Sequence, residues 1–306
     1  MNLEEYSFDK SKSDQPRLEI SVKGGCGRLC AYCPQELYIT QFKKIAKGKM
    51  LTYDDIVLYS KNIPNETLIS WTGYTEPLDC KDFTEIVEHF HQRGLPQLIS
   101  TTLCGTKKST AYFVENVDKF SAGISLHVPD NEGLMRGRFD ESYAAQLQKV
   151  LINIRANPEI KCDIFLIGDE VHRSIASTVA EACSFQNVEF VSAKYLNTRN
   201  SSVDAGKFGL LSSVSQRSSN ERFMCSYKRL NRGVLLPNGD VTLCCQDYGL
   251  ERILGNLKAM SLEDIYKVIE NHVQWSEDFK AGRFYPCVKC EHYTTIDNNH
   301  TTGRQA

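Results

Sequence analysis

Short apolar segments alternate with stretches of helical spacing over residues 17–200, and this alternation constrains the fold more than any other feature of the chain. Six segments rich in β-branched residues predict strands, at residues 17–24, 66–73, 95–103, 120–128, 161–168 and 188–196. Helices are predicted between several of them, at residues 52–60, 82–93, 141–154 and 171–183. Strands that alternate with helices form parallel sheets. The predicted fold class is therefore α/β, a partial (β/α)6 barrel of the TIM type.

A change of composition divides the chain. Residues 201–222 are serine-rich and predict a linker, and residues 223–293 predict a small C-terminal module. Within it, GVLLPNGDVTLCC predicts a β-hairpin around a Pro-Asn-Gly-Asp turn. SLEDIYKVIENHVQ predicts a helix with Ser261 as its N-cap. The predicted domains are a barrel at 17–200 and this module, with polar ends at 1–16 and 294–306.

The bulk charge excludes some classes of partner. The 306-residue chain has a formal net charge of -2, so its overall field predicts neither nucleic acid nor an anionic membrane as a partner. The polar N-terminus does not resemble a signal peptide, and no apolar run reaches the length of a membrane span. We therefore expect a cytoplasmic protein. In that compartment its twelve cysteines predict metal ligands or catalytic thiols rather than disulfides.

Three of these cysteines lie directly after the first predicted strand, in GGCGRLCAYCPQ at residues 24–35. Cys26, Cys30 and Cys33 are soft ligands that suit zinc or an iron-sulfur cluster. A closed zinc site needs four ligands, and no histidine lies nearby in the sequence to supply the fourth. A cluster held by three thiols leaves one iron open. We therefore expect an iron-sulfur site that binds a further molecule, with a zinc site as the alternative.

The Cys-x3-Cys-x2-Cys motif, with Tyr32 before its third cysteine and a strand–helix series around it, resembles the radical SAM superfamily. The resemblance implies a [4Fe–4S] cluster on Cys26, Cys30 and Cys33 whose open iron binds S-adenosylmethionine (SAM), with Tyr32 as a candidate contact. It implies that reductive cleavage of SAM yields a 5′-deoxyadenosyl radical. It also implies an external reductant of the flavodoxin or ferredoxin type.

The resemblance further implies SAM contacts at the ends of neighbouring strands. Members of the superfamily carry a Gly-Gly-Glu-like segment after the second strand, and the segment TGYTEP offers Thr72, Gly73 and Glu76 in this position. Its spacing is longer than in the family pattern. Polar residues near later strand ends are further candidates, and each also fits a role without cofactor contact: Ser125, His127 and Arg199.

Later cysteines form a second pattern. Cys225, Cys244, Cys287 and Cys290 would make a complete shell for one cluster. PNGDVTLCCQDYGLERILGNL together with CVKC resembles the auxiliary-cluster region of radical SAM enzymes of the SPASM and twitch types. The number of cysteines favours the twitch arrangement, with a single auxiliary [4Fe–4S] cluster. Four thiols do not select the metal, so zinc is the alternative here too.

Cys245 is left over beside a predicted ligand. It is a candidate hydrogen-atom donor, as in radical SAM epimerases that quench the substrate radical with a cysteine. Its alternatives are a buried neighbour or a replacement ligand. Cys104, after the third predicted strand, is a weaker candidate for the same task.

The predicted function is radical SAM chemistry on a small polar substrate, a sugar, aminocyclitol or nucleotide derivative, giving epimerisation or dehydrogenation. About sixteen residues precede the first strand, too few for the leader-binding domain of larger peptide-modifying members. Cys245 favours epimerisation, whereas an auxiliary cluster that accepts an electron favours dehydrogenation. The alternatives are modification of a peptide or protein recognised through SVSQRSSNERF, and a non-catalytic zinc or iron-sulfur protein.

Overall fold

The computed structural model describes residues 15–193, 199, 202–204, 223–225, 232–270, 287, 290 and 293–295. Several predicted features lie outside the described residues: most of the N-terminal extension, most of the linker with its SVSQRSSNERF segment, the last turn of the predicted helix at 261–274, and nearly all of the tail.

Parallel strands form the centre of the protein and confirm the predicted fold class. They lie in the sheet in chain order, as β1 Arg17–Ile20, β2 Leu68–Trp71, β3 Gln97–Thr101, β4 Gly123–Val128, β5 Cys162–Leu166 and β6 Val188–Ser192. Every neighbouring pair among these strands is parallel. All their carboxyl ends therefore meet at one edge, where the connecting loops can build a site.

Helices connect the strands. They are α1 Gln35–Ala46, α2 Tyr53–Tyr59, α3 Phe83–Gln92, α4 Lys107–Glu115, α5 Glu141–Ala156 and α6 Ala176–Ala182. The sequence predicted α2, α3 and α5 within two residues. It placed the start of α6 too early, because Val171 pairs with Asp130 in an isolated β-bridge before the helix begins.

Two helices were not predicted, and the physical reason differs between them. α1 buries Tyr38 and Phe42 one turn apart, but it starts after Pro34 without a side-chain cap. α4 has a capping side chain, since Thr106 Oγ1 accepts a hydrogen bond from the Ser109 amide at 3.2 Å. Its sequence KKSTAYFVE carries too few apolar residues to define a helical stripe.

The helix-facing side of the sheet carries the main apolar core. Trp71 at the end of β2 is fully buried, and its ring lies 5.1 Å from Phe83 and 6.2 Å from Phe90, both on α3. The indole N–H donates to Gln97 Oε1 at 3.0 Å. A buried indole must satisfy its N–H, so this bond fixes β2, β3 and α3 in one arrangement.

The other face of the sheet is polar. Ser100, Ser125, Asp163 and Glu189 are paired in register across β3 to β6, so they form one row on this face. Ser100, Ser125 and Asp163 are half-buried, and Glu189 is exposed. Because side chains alternate along a strand, this face presents hydroxyl and carboxyl groups where the helix-facing side presents apolar ones.

The C-terminal part of the chain extends the same sheet. β8 Val234–Leu235, β9 Asp240–Thr242 and β10 Ile253–Asn256 continue it in the order β10-β9-β8-β1. β8 and β9 form the predicted antiparallel hairpin. β8 also pairs in parallel with β1, a long-range contact that the sequence did not predict. The turn after β9, which carries Cys244 and Cys245, is thereby held beside the first strand.

Two further elements complete the described C-terminal part. α7 Leu262–Glu270 begins at the predicted cap, where Ser261 Oγ accepts a hydrogen bond from the Asp264 amide at 3.1 Å. β7 Phe223–Cys225 pairs with β11 Tyr293–Thr295 in a separate antiparallel ribbon. Among the described residues, no helix has both the length and the apolar character needed to cross a membrane.

The capping box of α2 yields a stability prediction. Thr52 Oγ1 accepts a hydrogen bond from the Asp55 amide at 3.2 Å, and the Asp55 carboxylate accepts one from the Thr52 amide at 3.1 Å. Thr52→Ala should cost about 1 kcal/mol and lower the melting temperature by about 2 °C in calorimetry. Ser177→Ala, at an exposed position of α6, is the control and should change little. Equal melting temperatures of the two variants would contradict this account of α2.

Candidate functional site

Two glycines allow the three-cysteine loop to lie against α1. A Cβ added at Gly24 would come within 2.2 Å of Phe42 Cδ1, and one at Gly25 within 2.3 Å of Ile39 Cγ1. Gly25 also has a φ of 154°. Any residue larger than glycine at these two positions would displace α1. The two glycines therefore set the path of the loop from β1 to Cys26.

Each of the three sulfurs has an N–H group within hydrogen-bond distance. The Arg28 guanidinium lies 3.1 Å from Cys26 Sγ, and the Arg136 amide lies 3.4 Å from Cys30 Sγ. Gln35 Nε2 lies 3.4 Å from Cys33 Sγ. None of these cysteines forms a disulfide. Hydrogen bonds from N–H groups favour the negatively charged thiolate, which is the form that binds a metal.

The three thiols also influence one another. Burial raises the pKa of the Cys30 thiol, the N–H of Arg136 opposes this shift, and negative charge on Cys33 and Cys26 adds to it. Burial likewise raises the pKa of Cys33, against the hydrogen bonds of Tyr248 and Gln35. The thiols therefore share one site. A metal bound there would release their protons and replace mutual repulsion by coordination.

The donor set is chemically compatible with an iron-sulfur cluster. Among the described residues, no three His, Cys, Asp or Glu side chains meet around a point that could hold one metal ion. Thiolates that hold a [4Fe–4S] cluster bind different iron atoms, so they surround a cluster instead of meeting at one ion. Three thiols with N–H donors, placed in a loop after β1, are ligands of the type that would hold such a cluster, and a cluster held by three thiols would keep one iron open.

Arg28, within the motif, fixes a positive charge beside the first cysteine. Its guanidinium contacts both oxygens of Asp79 at 3.1 and 3.3 Å, and Lys23 Nζ lies 2.7 Å from the same carboxylate. Burial opposes the charged form, but the carboxylates of Glu76 and Asp79 outweigh it and raise the pKa of Arg28. The arginine therefore stays charged while largely buried beside Cys26.

Glu76 is buried in the loop that follows β2. Both of its carboxylate oxygens accept hydrogen bonds. One oxygen accepts from the Thr101 hydroxyl and from the Leu78 amide. The other accepts from the Thr102 amide at 2.9 Å and from its hydroxyl at 2.6 Å. Neighbouring backbone and hydroxyl groups thus hold the carboxylate in one position, close enough to Arg28 and Cys104 to act on their pKa values.

Gly73 and Thr72, the other candidates from TGYTEP, lie against β1 and β2. The Gly73 amide donates to the Ile20 carbonyl at 3.2 Å, and a Cβ at this position would come within 2.5 Å of that oxygen. Thr72 Oγ1 lies 2.9 Å from Ser70 Oγ. Glycine is therefore required at position 73 because the chain crosses directly over the end of β1.

The remaining candidates lie near the loop from other strands. Tyr32 and Phe165 both pack against a small apolar cluster that includes Ile167, and the His127 ring lies 4.9 Å from that of Phe165. The positive charge of Arg199 acts on both Cys33 and His127. The structure therefore gathers these candidates around the cysteine loop. Ser125 lies two residues further back along β4, in the polar row of the sheet.

A second group of cysteines lies at the C-terminal segments. Burial raises the pKa of Cys244 well above its ordinary value, and negative charge on Cys245 and Cys287 adds to the shift, which places these three sulfurs near one another. The Cys290 amide donates to the Cys287 carbonyl at 3.2 Å. Cys225 is directly opposite Tyr293 in the β7–β11 ribbon. Its side chain is outside the described part of the chain.

Sequence reasoning missed several residues that contact the cysteines. Arg28 and Gln35 are each two positions from a motif cysteine. Polar side chains this close in sequence are a local signal for donors to sulfur. Tyr248 could not have been found in this way. Its hydroxyl lies 3.6 Å from Cys33 Sγ although 215 positions separate the two residues.

The environment of His127 gives a pH prediction. Burial, and secondly the charge of Arg199, lower the pKa of His127 to about 4. We expect its imidazole to stay neutral from about pH 7.5 to about pH 5.5, where an ordinary histidine gains a proton. NMR of the ring C–H groups, assigned with His127→Gln, measures this. In Arg199→Gln the pKa should rise yet stay below 6.5 because burial acts first. A wild-type midpoint near about 6.5 would contradict the burial argument.

Three solved structures with a similar fold hold AdoMet or a precursor peptide. BtrN in complex with AdoMet and 2-DOIA is 15% identical, covers 90% of this chain and 93% of its own, and has a TM-score of 0.49. Native anSMEcpe with bound AdoMet is 14% identical over 90% of each chain, with a TM-score of 0.49. SuiB of Streptococcus suis bound to precursor peptide SuiA is 12% identical, covers 84% and 66%, and has a TM-score of 0.47. Likeness at this level assigns no reaction or substrate to this chain. No curated protein matches it in sequence.

Residues 225–292 match the family model of SPASM, an iron-sulfur cluster-binding domain. The match takes in the hairpin, α7 and all five late cysteines. It confirms the prediction of an iron-sulfur module at the C-terminal part of the chain. Residues 225–292 are therefore similar to the SPASM family of iron-sulfur cluster-binding domains.

Proposed function

We propose that the protein is a radical SAM enzyme that acts on a small polar substrate. Cys26, Cys30 and Cys33 would hold a [4Fe–4S] cluster whose open iron binds SAM. When bound, cluster and SAM together supply a 5′-deoxyadenosyl radical that abstracts a hydrogen atom from the substrate. The observation that carries the proposal is the set of three thiols, each with an N–H donor, in the loop after the first of six parallel strands.

The chain's own residues would position the cofactor through opposite charges. Arg28, the Arg136 amide and Gln35 orient the three sulfurs and stabilise them as thiolates. Glu76, whose oxygens already accept four hydrogen bonds, would contribute negative charge near the ammonium group of SAM. Arg199, whose charge acts on Cys33, offers a guanidinium for the SAM carboxylate. Gly73 has no side chain, so SAM could approach the backbone closely at this position.

The polar face of the sheet supports a polar substrate. Ser100, Ser125 and Asp163 form a half-buried row there, and hydroxyl and carboxyl groups of this kind suit the hydroxyl or amino groups of a sugar, aminocyclitol or nucleotide derivative. His127, held neutral, can donate or accept a single hydrogen bond through each ring nitrogen. The substrate would lie between this face and the cysteine loop, where closure limits access of water to the radical.

The second cysteine group would hold an auxiliary [4Fe–4S] cluster on Cys225, Cys244, Cys287 and Cys290. Cys245, which is outside this ligand set, would be the hydrogen-atom donor in epimerisation, whereas the auxiliary cluster would accept an electron in dehydrogenation. Screening small polar compounds by release of 5′-deoxyadenosine identifies a substrate, and the mass of the product then separates the two outcomes. Dehydrogenation gives a carbonyl product, and epimerisation gives an isomer of unchanged mass. The reductant would be a flavodoxin or ferredoxin, or a chemical substitute in the assay.

The first cysteine site predicts loss of SAM cleavage in a single variant. After anaerobic reconstitution, Cys30→Ala should produce no 5′-deoxyadenosine above background, because two thiols do not hold the cluster in place. Liquid chromatography with mass detection measures the product. Cys183→Ala, which removes an exposed thiol, is the matched control and should cleave SAM like the wild type. Retained cleavage in Cys30→Ala would exclude the assignment of the first site.

The second site predicts a difference between neighbouring cysteines. The wild type should bind about eight irons per chain, and Cys244→Ala should bind about four because it loses a ligand of the auxiliary cluster. Cys245→Ala should keep about eight. Iron and zinc are measured by elemental analysis of reconstituted protein. About four irons with one zinc in the wild type would make the second site structural, and loss of iron in Cys245→Ala would make that residue a ligand.

A further inference from the structure

Tyr248 contacts the first cysteine site from the C-terminal segment of the chain. Its side chain is buried, and its hydroxyl lies 3.6 Å from Cys33 Sγ. A cysteine that binds iron carries no proton on sulfur, so the tyrosine hydroxyl must be the donor in that state. A residue of the segment that matches the SPASM model, residues 225–292, therefore contacts a thiol in the loop after β1.

A closed turn sets the position of Tyr248. The Asp247 carboxylate accepts hydrogen bonds from the Glu251 amide at 3.0 Å and from the Arg252 amide at 2.9 Å. The Asp247 amide donates to the Cys244 carbonyl at 3.1 Å. These bonds span the turn between β9 and β10. The Asp247 carboxylate and amide therefore connect the backbone of Cys244 to the turn that carries Tyr248.

A second tyrosine links the same two sites. The Tyr74 ring lies 4.8 Å from that of Tyr248. Its hydroxyl donates to the Cys244 carbonyl at 2.8 Å, and its own carbonyl accepts from Gln35 Nε2, which also contacts Cys33 Sγ. Cys33 and Cys245 both pack against this aromatic cluster. Two buried rings thus form a continuous contact between the first cysteine site and the turn of the second.

We propose that Tyr248 is a positioning residue that couples the two cysteine sites, with its hydroxyl donating to the Cys33 sulfur and its turn holding Cys244. This inference rests on the proposed function, which assigns a cluster to the first site. Hydrogen bonds to ligating sulfurs help to set the reduction potential of a cluster. Reduction adds one electron and hence negative charge, so a hydroxyl donor stabilises the reduced form more. The electron comes from the external reductant, and the proton stays on the tyrosine oxygen.

The test is a redox titration of the reconstituted full chain by electron paramagnetic resonance. The first-site signal is the one that Cys30→Ala lacks. Tyr248→Phe removes only the hydroxyl, so iron content should stay equal and the first-site potential should become more negative. At the wild-type midpoint, the ratio of reduced to oxidised first-site cluster should fall about fivefold, as expected for one hydrogen bond.

Tyr38→Phe is the matched control. Its ring lies 4.7 Å from Tyr74 and 6.4 Å from Tyr248 in the same buried cluster. Its hydroxyl contacts Ser21 Oγ and donates to the Lys23 carbonyl, away from the cysteine sulfurs. This variant therefore loses a buried hydroxyl without changing the contact to Cys33, and its first-site potential should equal that of the wild type.

A double-variant cycle tests the coupling itself. Cys244→Ala should shift the first-site potential in the wild-type background and add nothing in the Tyr248→Phe background. Additive shifts of the first-site potential in the double variant would overturn the coupling. An unchanged first-site potential in Tyr248→Phe, with intact SAM cleavage, would overturn the role of the hydroxyl. Absence of any first-site signal in the wild type would overturn the proposed function together with this inference.

Discussion

The parallel pairing of β8 with β1 is the contact on which the arrangement of the two cysteine sites depends. The Glu19 amide donates to the Gly233 carbonyl and the Ser21 amide to the Leu235 carbonyl, each at 2.9 Å. Across the same junction, the Tyr266 hydroxyl donates to the Arg17 carbonyl at 2.7 Å. These bonds join the segment that matches the SPASM model, residues 225–292, to the strand that leads into the three-cysteine loop. They hold the turn bearing Cys244 beside that loop.

Burial and fixed charge act together around the first cysteine site. Burial alone disfavours thiolates, since removal of water penalises the charged form. The N–H groups of Arg28, Arg136 and Gln35 offset part of that penalty at each sulfur. The loop is therefore prepared for negatively charged sulfur, and a bound cluster would supply the remaining compensation. The same reasoning explains why an arginine stays charged in a largely buried position beside Asp79.

Local patterns predicted much of the fold and the two cysteine groups, but few of the contacts between them. The strands were predictable because each is a short apolar run between turn residues, and α3 and α5 because their apolar residues recur at helical spacing. α1 was missed because Pro34 supplies no capping side chain. Tyr248 was missed because its partner Cys33 lies in a distant part of the chain, and no local rule pairs residues at that range.

By itself the sequence determined the alternation of strands and helices, the three-thiol motif and the iron-sulfur segment near the C-terminus, because each is a property of neighbouring residues. Only the tertiary structure decided that β8 extends the sheet beside β1 and that the Tyr74 and Tyr248 rings lie between Cys33 and Cys244. Strand pairing and aromatic packing join residues far apart in the chain. Their choice depends on the shape and apolar surface of the whole folded molecule.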